Sequence, residues 1–153
     1  MEEVLDLLGD KLKSGLRLNI ELKNSVFPYE GMEEKIVDLI HRRNLEKQIV
    51  YSTFYAMSLQ KMRKFDPDAE LGILDRRASD CLYKLRGGCG ADAIHPYWKD
   101  VDLPVKILKN YIVRAWMTGH LYPEKPTGTR LGFEMLKQKG IKELFLNEPE
   151  MYL

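Results

Sequence analysis

Two cysteines, three histidines and no long apolar run set the first limits on this 153-residue chain. Cys81 and Cys89 form neither a disulfide framework nor a CxxC metal knuckle. No apolar stretch approaches the roughly 20 residues that a membrane helix needs, so no membrane span is expected. Charge of either sign is not in excess: 24 basic residues face 23 acidic ones, and no general field draws the chain to nucleic acid or to a membrane surface. The opening "MEEVLDLL" is acidic where a secretory signal would be basic. With two free thiols, the expectation is a soluble cytoplasmic protein. A phosphate-cradling glycine loop is missing too. "GGCGAD" (87–92) lies before a strand-like run, where a dinucleotide loop would follow one.

The patterns that remain alternate between helical and extended. Residues 2–12 place Val4, Leu5, Leu8 and Leu12 at helical spacing, and Ser14-Gly15 ends that helix. A second helix is expected over 32–43, with Met32, Ile36, Leu39 and Ile40 on one face. Leu59, Met62 and Phe65 mark a third, and 79–86 a short fourth. Between them lie six strand-like runs: "RLNIELK" (17–23), "QIVYSTF" (48–54), "ELGIL" (70–74), "ADAIHPY" (91–97), "IVRAW" (112–116) and "ELFLN" (143–147).

The runs begin 31, 22, 21, 21 and 31 residues apart, a spacing that suits repeated βα units with parallel strands and helical crossovers. Strands without clean polar alternation fit a parallel sheet covered on both faces. The expected architecture is a single α/β domain over 1–153: an incomplete (β/α) TIM-type barrel of about six parallel βα units. A full eight-stranded barrel usually takes ~200 residues or more, so about two βα units are expected to be missing from the front.

In "RLNIELKNS" (17–25) the apolar Leu18, Ile20 and Leu22 alternate with ionisable groups, Glu21 and Lys23. Residues two apart on a strand share a face. Charges set beside an apolar run are costly unless paired or bound to something charged. Three readings of the pair stay open: a wall of a site, an internal ion pair, and an edge position open to water.

Taken in order, "EEVLDLL" leading into "LNIELK", then "VDLIHRRNLEKQIVYSTF", "FDPDAELGIL", "GADAIHPYW", "VRAW" and "LFLNEPEMYL" resemble strands three to eight of the glycerophosphodiester phosphodiesterase barrel. The resemblance implies metal-assisted hydrolysis of a glycerophosphodiester to glycerol 3-phosphate and an alcohol. It implies a divalent metal (Mg²⁺ or Ca²⁺) ligated by Glu21, a phosphate-facing Lys23, and Trp116 lining the pocket beside the glycerol or the leaving alcohol.

The departures are as definite as the matches. The family's first strand ends in His-Arg-Gly, and its second carries Glu-x-Asp followed by Asp-Gly and His-Asp. This sequence has none of these; its "HRR" (41–43) ends a helix. Both catalytic histidines and two of three acidic ligands are lacking, and a lone carboxylate is a poor trap for a hard cation that takes six or more oxygens. No catalytic set is intact, with His95 at a strand end a further candidate beside a backbone-bonded structural role. The chain by itself is expected to be inactive. A homodimer or a partner segment that completes the barrel would restore the site for a glycerophosphodiester. The alternative is a non-catalytic relative acting as a binding or assembly module.

The remaining candidates have plainer readings. His120 belongs to the turn-rich loop 117–132, where a surface position is expected. His41, beside Arg42 and Arg43 at a helix C-terminus, suits the helix dipole. "KMRK" (61–64) reads as a solvated face, not an RNA patch. Cys81 and Cys89 are expected to be buried or passive thiols, with no base placed near either.

Overall fold

The computed structural model describes residues 1–117 and 132–146. Six strands form one all-parallel sheet in sequential order: β1 (Leu18–Glu21), β2 (Ile49–Thr53), β3 (Glu70–Asp75), β4 (Ala93–Pro96), β5 (Ile112–Trp116) and β6 (Glu143–Phe145). The helices are α1 (Glu2–Lys13), α2 (Met32–Arg42), α3 (Ala56–Phe65), α4 (Ala78–Arg86), α5 (Val105–Leu108) and α6 (Phe133–Gln138), with a 3₁₀ turn at Glu46–Gln48. The sheet curls into part of a (β/α) barrel, so the architecture is the incomplete TIM-type barrel that the strand spacing predicts.

Alternation along each strand sorts the side chains. Ile20, Tyr51, Ile73, Ile94 and Val113 join the buried cluster under the helices. Asn19 and Glu21, Ser52, Gly72, His95, Arg114 and Phe145 occupy the other, concave face. The helix-side core is close to dry: Leu5, Leu12, Ile40, Leu59, Met62 and Leu71 are 1 % exposed or less. Each such side chain contributes about 1.5–3 kcal/mol of burial.

Local signals explain the element ends. After α1, Gly15 takes φ +106, a conformation that costs other residues strain, and Leu16 N–H bonds back to the Lys11 carbonyl at 2.9 Å. Three helical pieces were not expected from the sequence: α5, α6 and the 3₁₀ turn. Four, six and three residues are too short for a readable period. The strand ends are shorter than the runs suggest; Arg17, Lys23, Ala91 and Asp92 fall outside the ladder.

Val4 and Phe65, which share the helical spacing of the apolar stripes, are 44 % and 45 % exposed. On α2 the buried stripe is Ile36, Val37 and Ile40, with Met32 and Leu39 only partly covered. His120 and the rest of 118–131 lie outside the described residues, as does Asn147 of the sixth expected strand. No helix among the described residues is long and apolar enough to cross a membrane.

Candidate functional site

Active sites of (β/α) barrels form at the C-terminal ends of the strands. At that end of β1, Lys23 Nζ donates to Glu21 Oε1 at 2.9 Å. The two side chains share a face, as their spacing requires, with Glu21 one-third and Lys23 three-quarters exposed. They pair with each other.

The end of the strand is tied down by a buried polar knot. Asn24, 3 % exposed, donates from Nδ2 to Glu33 Oε1 (3.1 Å) and to Ser58 Oγ (2.8 Å), and its Oδ1 accepts from Thr53 Oγ1 (3.2 Å). Ser58 Oγ in turn donates to Glu33 Oε1 at 2.9 Å. Four elements meet here: the exit of β1, the first turns of α2 and α3, and the end of β2. All four residues are nearly or fully buried. Their mutual satisfaction, together with Lys61 Nζ 3.9 Å from Glu33 Oε1, makes a buried carboxylate tolerable.

Across the concave face, register aligns Glu21 with Ser52, Ser52 with Gly72 and Gly72 with Ala93. The His95 ring, two residues further along β4, fills the space over Gly72: a Cβ placed there would fall 1.9–2.4 Å from three ring atoms. His95 is fully buried, and among the described residues neither ring nitrogen has a hydrogen-bond partner. Phe145 meets the ring edge-on at 4.6 Å between centroids. Burial, with the Arg114 charge adding to it, pushes the His95 pKa down to about 3. The imidazole is therefore neutral, and the backbone-bonded role is not adopted.

Trp116 ends β5. Its Nε1–H donates to the Asp75 carbonyl at 3.1 Å, and its ring meets Tyr97 at 4.8 Å and Phe54 at 6.1 Å. Sequence reading took Trp116 alone and missed this aromatic group. The signal was alternation: Phe54, Tyr97 and Trp116 each lie two residues beyond an inward side chain, Ser52, His95 and Arg114. Asn24 and Ser58 were missed as well, because nothing local distinguishes a buried hydrogen-bonding Asn from a turn residue.

At the opposite end of the strands, Arg114, 2 % exposed, lies between Glu70 at the start of β3 and Glu143 at the start of β6, donating to Glu143 at 2.6 Å and pairing with Glu70. Arg17, just before β1, also pairs with Glu70 and comes within 3.9 Å of Glu143. This ion-pair floor lies away from the candidate site and reads as structural.

A metal does not fit the described residues alone. Among them no group of three His, Cys, Asp or Glu side chains could hold an ion, and Glu21 spends its oxygen on Lys23. Cys81 and Cys89 are buried free thiols, and burial pushes Cys81 up to about 12, which leaves it inert as a nucleophile. His41 lies in the last turn of α2, as the dipole reading expects, and also makes a 2.8 Å hydrogen bond with Asp66.

The strand order and curl define the class: an α/β chain forming part of a (β/α) barrel. No family model matches the chain. The uncharacterized protein YqiK of Bacillus subtilis is 42 % identical over 107 residues, 68 % of this chain and 43 % of the relative. A glycerophosphodiester phosphodiesterase of Bacillus altitudinis is 39 % identical over 74 residues, 48 % of this chain and 29 % of the relative. Among solved structures, one from Galdieria sulphuraria superposes with a TM-score of 0.68 at 16 % identity, covering 95 % of this chain and 60 % of that one. A glycerophosphodiester phosphodiesterase from Parabacteroides distasonis gives 0.59 at 15 %, covering 93 % and 58 %. The chain has a glycerophosphodiester phosphodiesterase-like fold and covers part of it. The matched stretches span less than half the length of these curated relatives.

Proposed function

We propose that this chain supplies one wall of a phosphodiester hydrolase site that acts on glycerophosphodiesters, and that it does not turn substrate over by itself. The observation that carries the reading is the Glu21–Lys23 pair at the C-terminal end of β1. In this role the Lys23 ammonium faces a phosphate oxygen as a point charge. Glu21 offers one carboxylate toward a divalent cation, Mg²⁺ or Ca²⁺, whose other oxygen ligands come from outside the described residues. The aromatic group of Phe54, Tyr97 and Trp116 walls the glycerol or the leaving alcohol. A completing segment, or a second copy of the chain, provides the opposite wall.

A second reading has its own support: among the described residues no group of three His, Cys, Asp or Glu side chains could hold an ion. On that reading the chain is a non-catalytic relative, a binding or assembly module. Release of glycerol 3-phosphate from glycerophosphocholine and glycerophosphoethanolamine, with Mg²⁺, Ca²⁺ or Mn²⁺ beside a chelated control, tests the turnover claim. The expected result is no release by the folded chain alone. The same chain is expected to bind glycerol 3-phosphate weakly and to lose that binding in Lys23→Ala. Metal-dependent release abolished by Glu21→Ala would overturn the claim of inactivity while keeping the site. Neither release nor Lys23-dependent binding would leave the assembly module.

A further inference from the structure

The knot that follows Glu21 and Lys23 does more than fill space. Asn24 uses both amide hydrogens and its carbonyl oxygen, each on a different element: Glu33 on α2, Ser58 on α3 and Thr53 on β2. An apolar side chain here would bury surface but fix no orientation, whereas a saturated amide admits one pose. Thr53 Oγ1 also accepts the Tyr55 N–H at 3.1 Å, so the knot reaches the start of α3. Leu22 N–H bonds the Ser52 carbonyl at 2.7 Å. Lys23 is therefore the one residue between a ladder bond on its N-terminal side and a locked side chain on its C-terminal side.

We propose that Asn24 is a positioning residue: with Glu33, Ser58 and Thr53 it fixes the exit of β1 and so sets Lys23 against Glu21. That these two residues are the functional pair rests on the reading above; that Asn24 sets their geometry does not. The donor pattern can be inverted, which gives a test. In Asn24→Asp, an oxygen meets Glu33 Oε1 where an amide hydrogen had been, and two buried carboxylates in contact repel. In the double variant Asn24→Asp/Glu33→Gln, the amide introduced on α2 donates to the carboxylate introduced after β1. Ser58 then donates to that carboxylate while accepting from the amide, so the three bonds among positions 24, 33 and 58 reverse while Thr53 keeps donating to position 24.

The readout is the side-chain nuclear Overhauser contact between Lys23 and Glu21 near neutral pH, with the amide signals of β4 and β5 as the control for global fold. It needs neither metal nor turnover, so an inactive chain does not count against it. The expected result is loss of the contact in Asn24→Asp and its return in the double variant. A contact that persists in folded Asn24→Asp overturns the proposal, as does one that stays lost in a folded double variant. Should Asn24→Asp not fold, Ser58→Ala decides: it removes one member, and a contact of undiminished intensity in that folded variant overturns the proposal equally.

Discussion

Among the described glycines the tightest fit is Gly72 under His95. No side chain larger than hydrogen leaves room for the ring, because a Cβ would stand 1.9–2.4 Å from it. The ring cannot easily swing away either, since Phe145 holds its edge and the surroundings are fully buried. Gly72→Ala is therefore expected to destabilise the protein by about 1–3 kcal/mol, the usual range for overpacking. Chemical denaturation of Gly72→Ala, His95→Ala and the double variant checks this. The alanine at 72 should cost far less once the ring is gone, a non-additivity that marks direct contact. An equal cost in both backgrounds would mean that the ring does not lie over Gly72.

Between elements, polar ties act where the apolar core thins out. His41, in the last turn of α2, meets Asp66 just beyond α3 at 2.8 Å, and Glu46 of the 3₁₀ turn at 3.9 Å. The hydrogen bond to Asp66 raises the His41 pKa above its ordinary 6.5, with the Asp66 and Glu46 charges adding to it. A folded value above the unfolded one contributes stability that is fully present below 6.5 and is lost as pH rises through the folded value. The stability gap between wild type and His41→Gln is thus expected to be widest on the acid side and to shrink at alkaline pH. With 44 % of the His41 side chain exposed, solvent screening holds the gap under about 1 kcal/mol. Melting curves across that pH range check it; a gap that widens at alkaline pH would reverse the sign. Arg63 serves α3 similarly. The "KMRK" run is therefore not a solvated face throughout: Met62 is fully buried, and Arg63 bonds the carbonyls of Pro67, Ala69 and Gly90 and pairs with Asp92 at 2.7 Å.

At the scale of the whole molecule, the ion-pair floor joins strands far apart in sequence. Arg114 on β5 pairs with the first residues of β3 and β6, and Arg17 reaches the same two glutamates from the start of β1. The two arginines differ in burial, 3 % against 42 % side-chain exposure, and that difference decides their weight. Arg114→Met removes the buried guanidinium that bonds both glutamates, which are themselves partly exposed and keep Arg17, and is expected to cost about 2 kcal/mol. Arg17→Met removes a screened partner and is expected to cost about 1 kcal/mol or less. Urea denaturation of both variants compares them; equal losses would show that burial does not govern the floor.

The sequence by itself determined the strands and their order. Runs such as "QIVYSTF" and "IVRAW" are β-branched or apolar and are separated by helical periods. A parallel sheet follows from that alternation because each crossover must return along the sheet. It also determined that Glu21 and Lys23 share a face, since that depends only on a period of two. What tertiary structure decided lies between elements. The neutral His95 seated on Gly72 and the grouping of Trp116 with Tyr97 and Phe54 depend on register and on the curl of the sheet. The same holds for the Asn24 knot, whose four side chains come from positions 24, 33, 53 and 58. A hydrogen bond between such residues leaves no local period behind, because its energy depends on distances that exist only once the elements have packed.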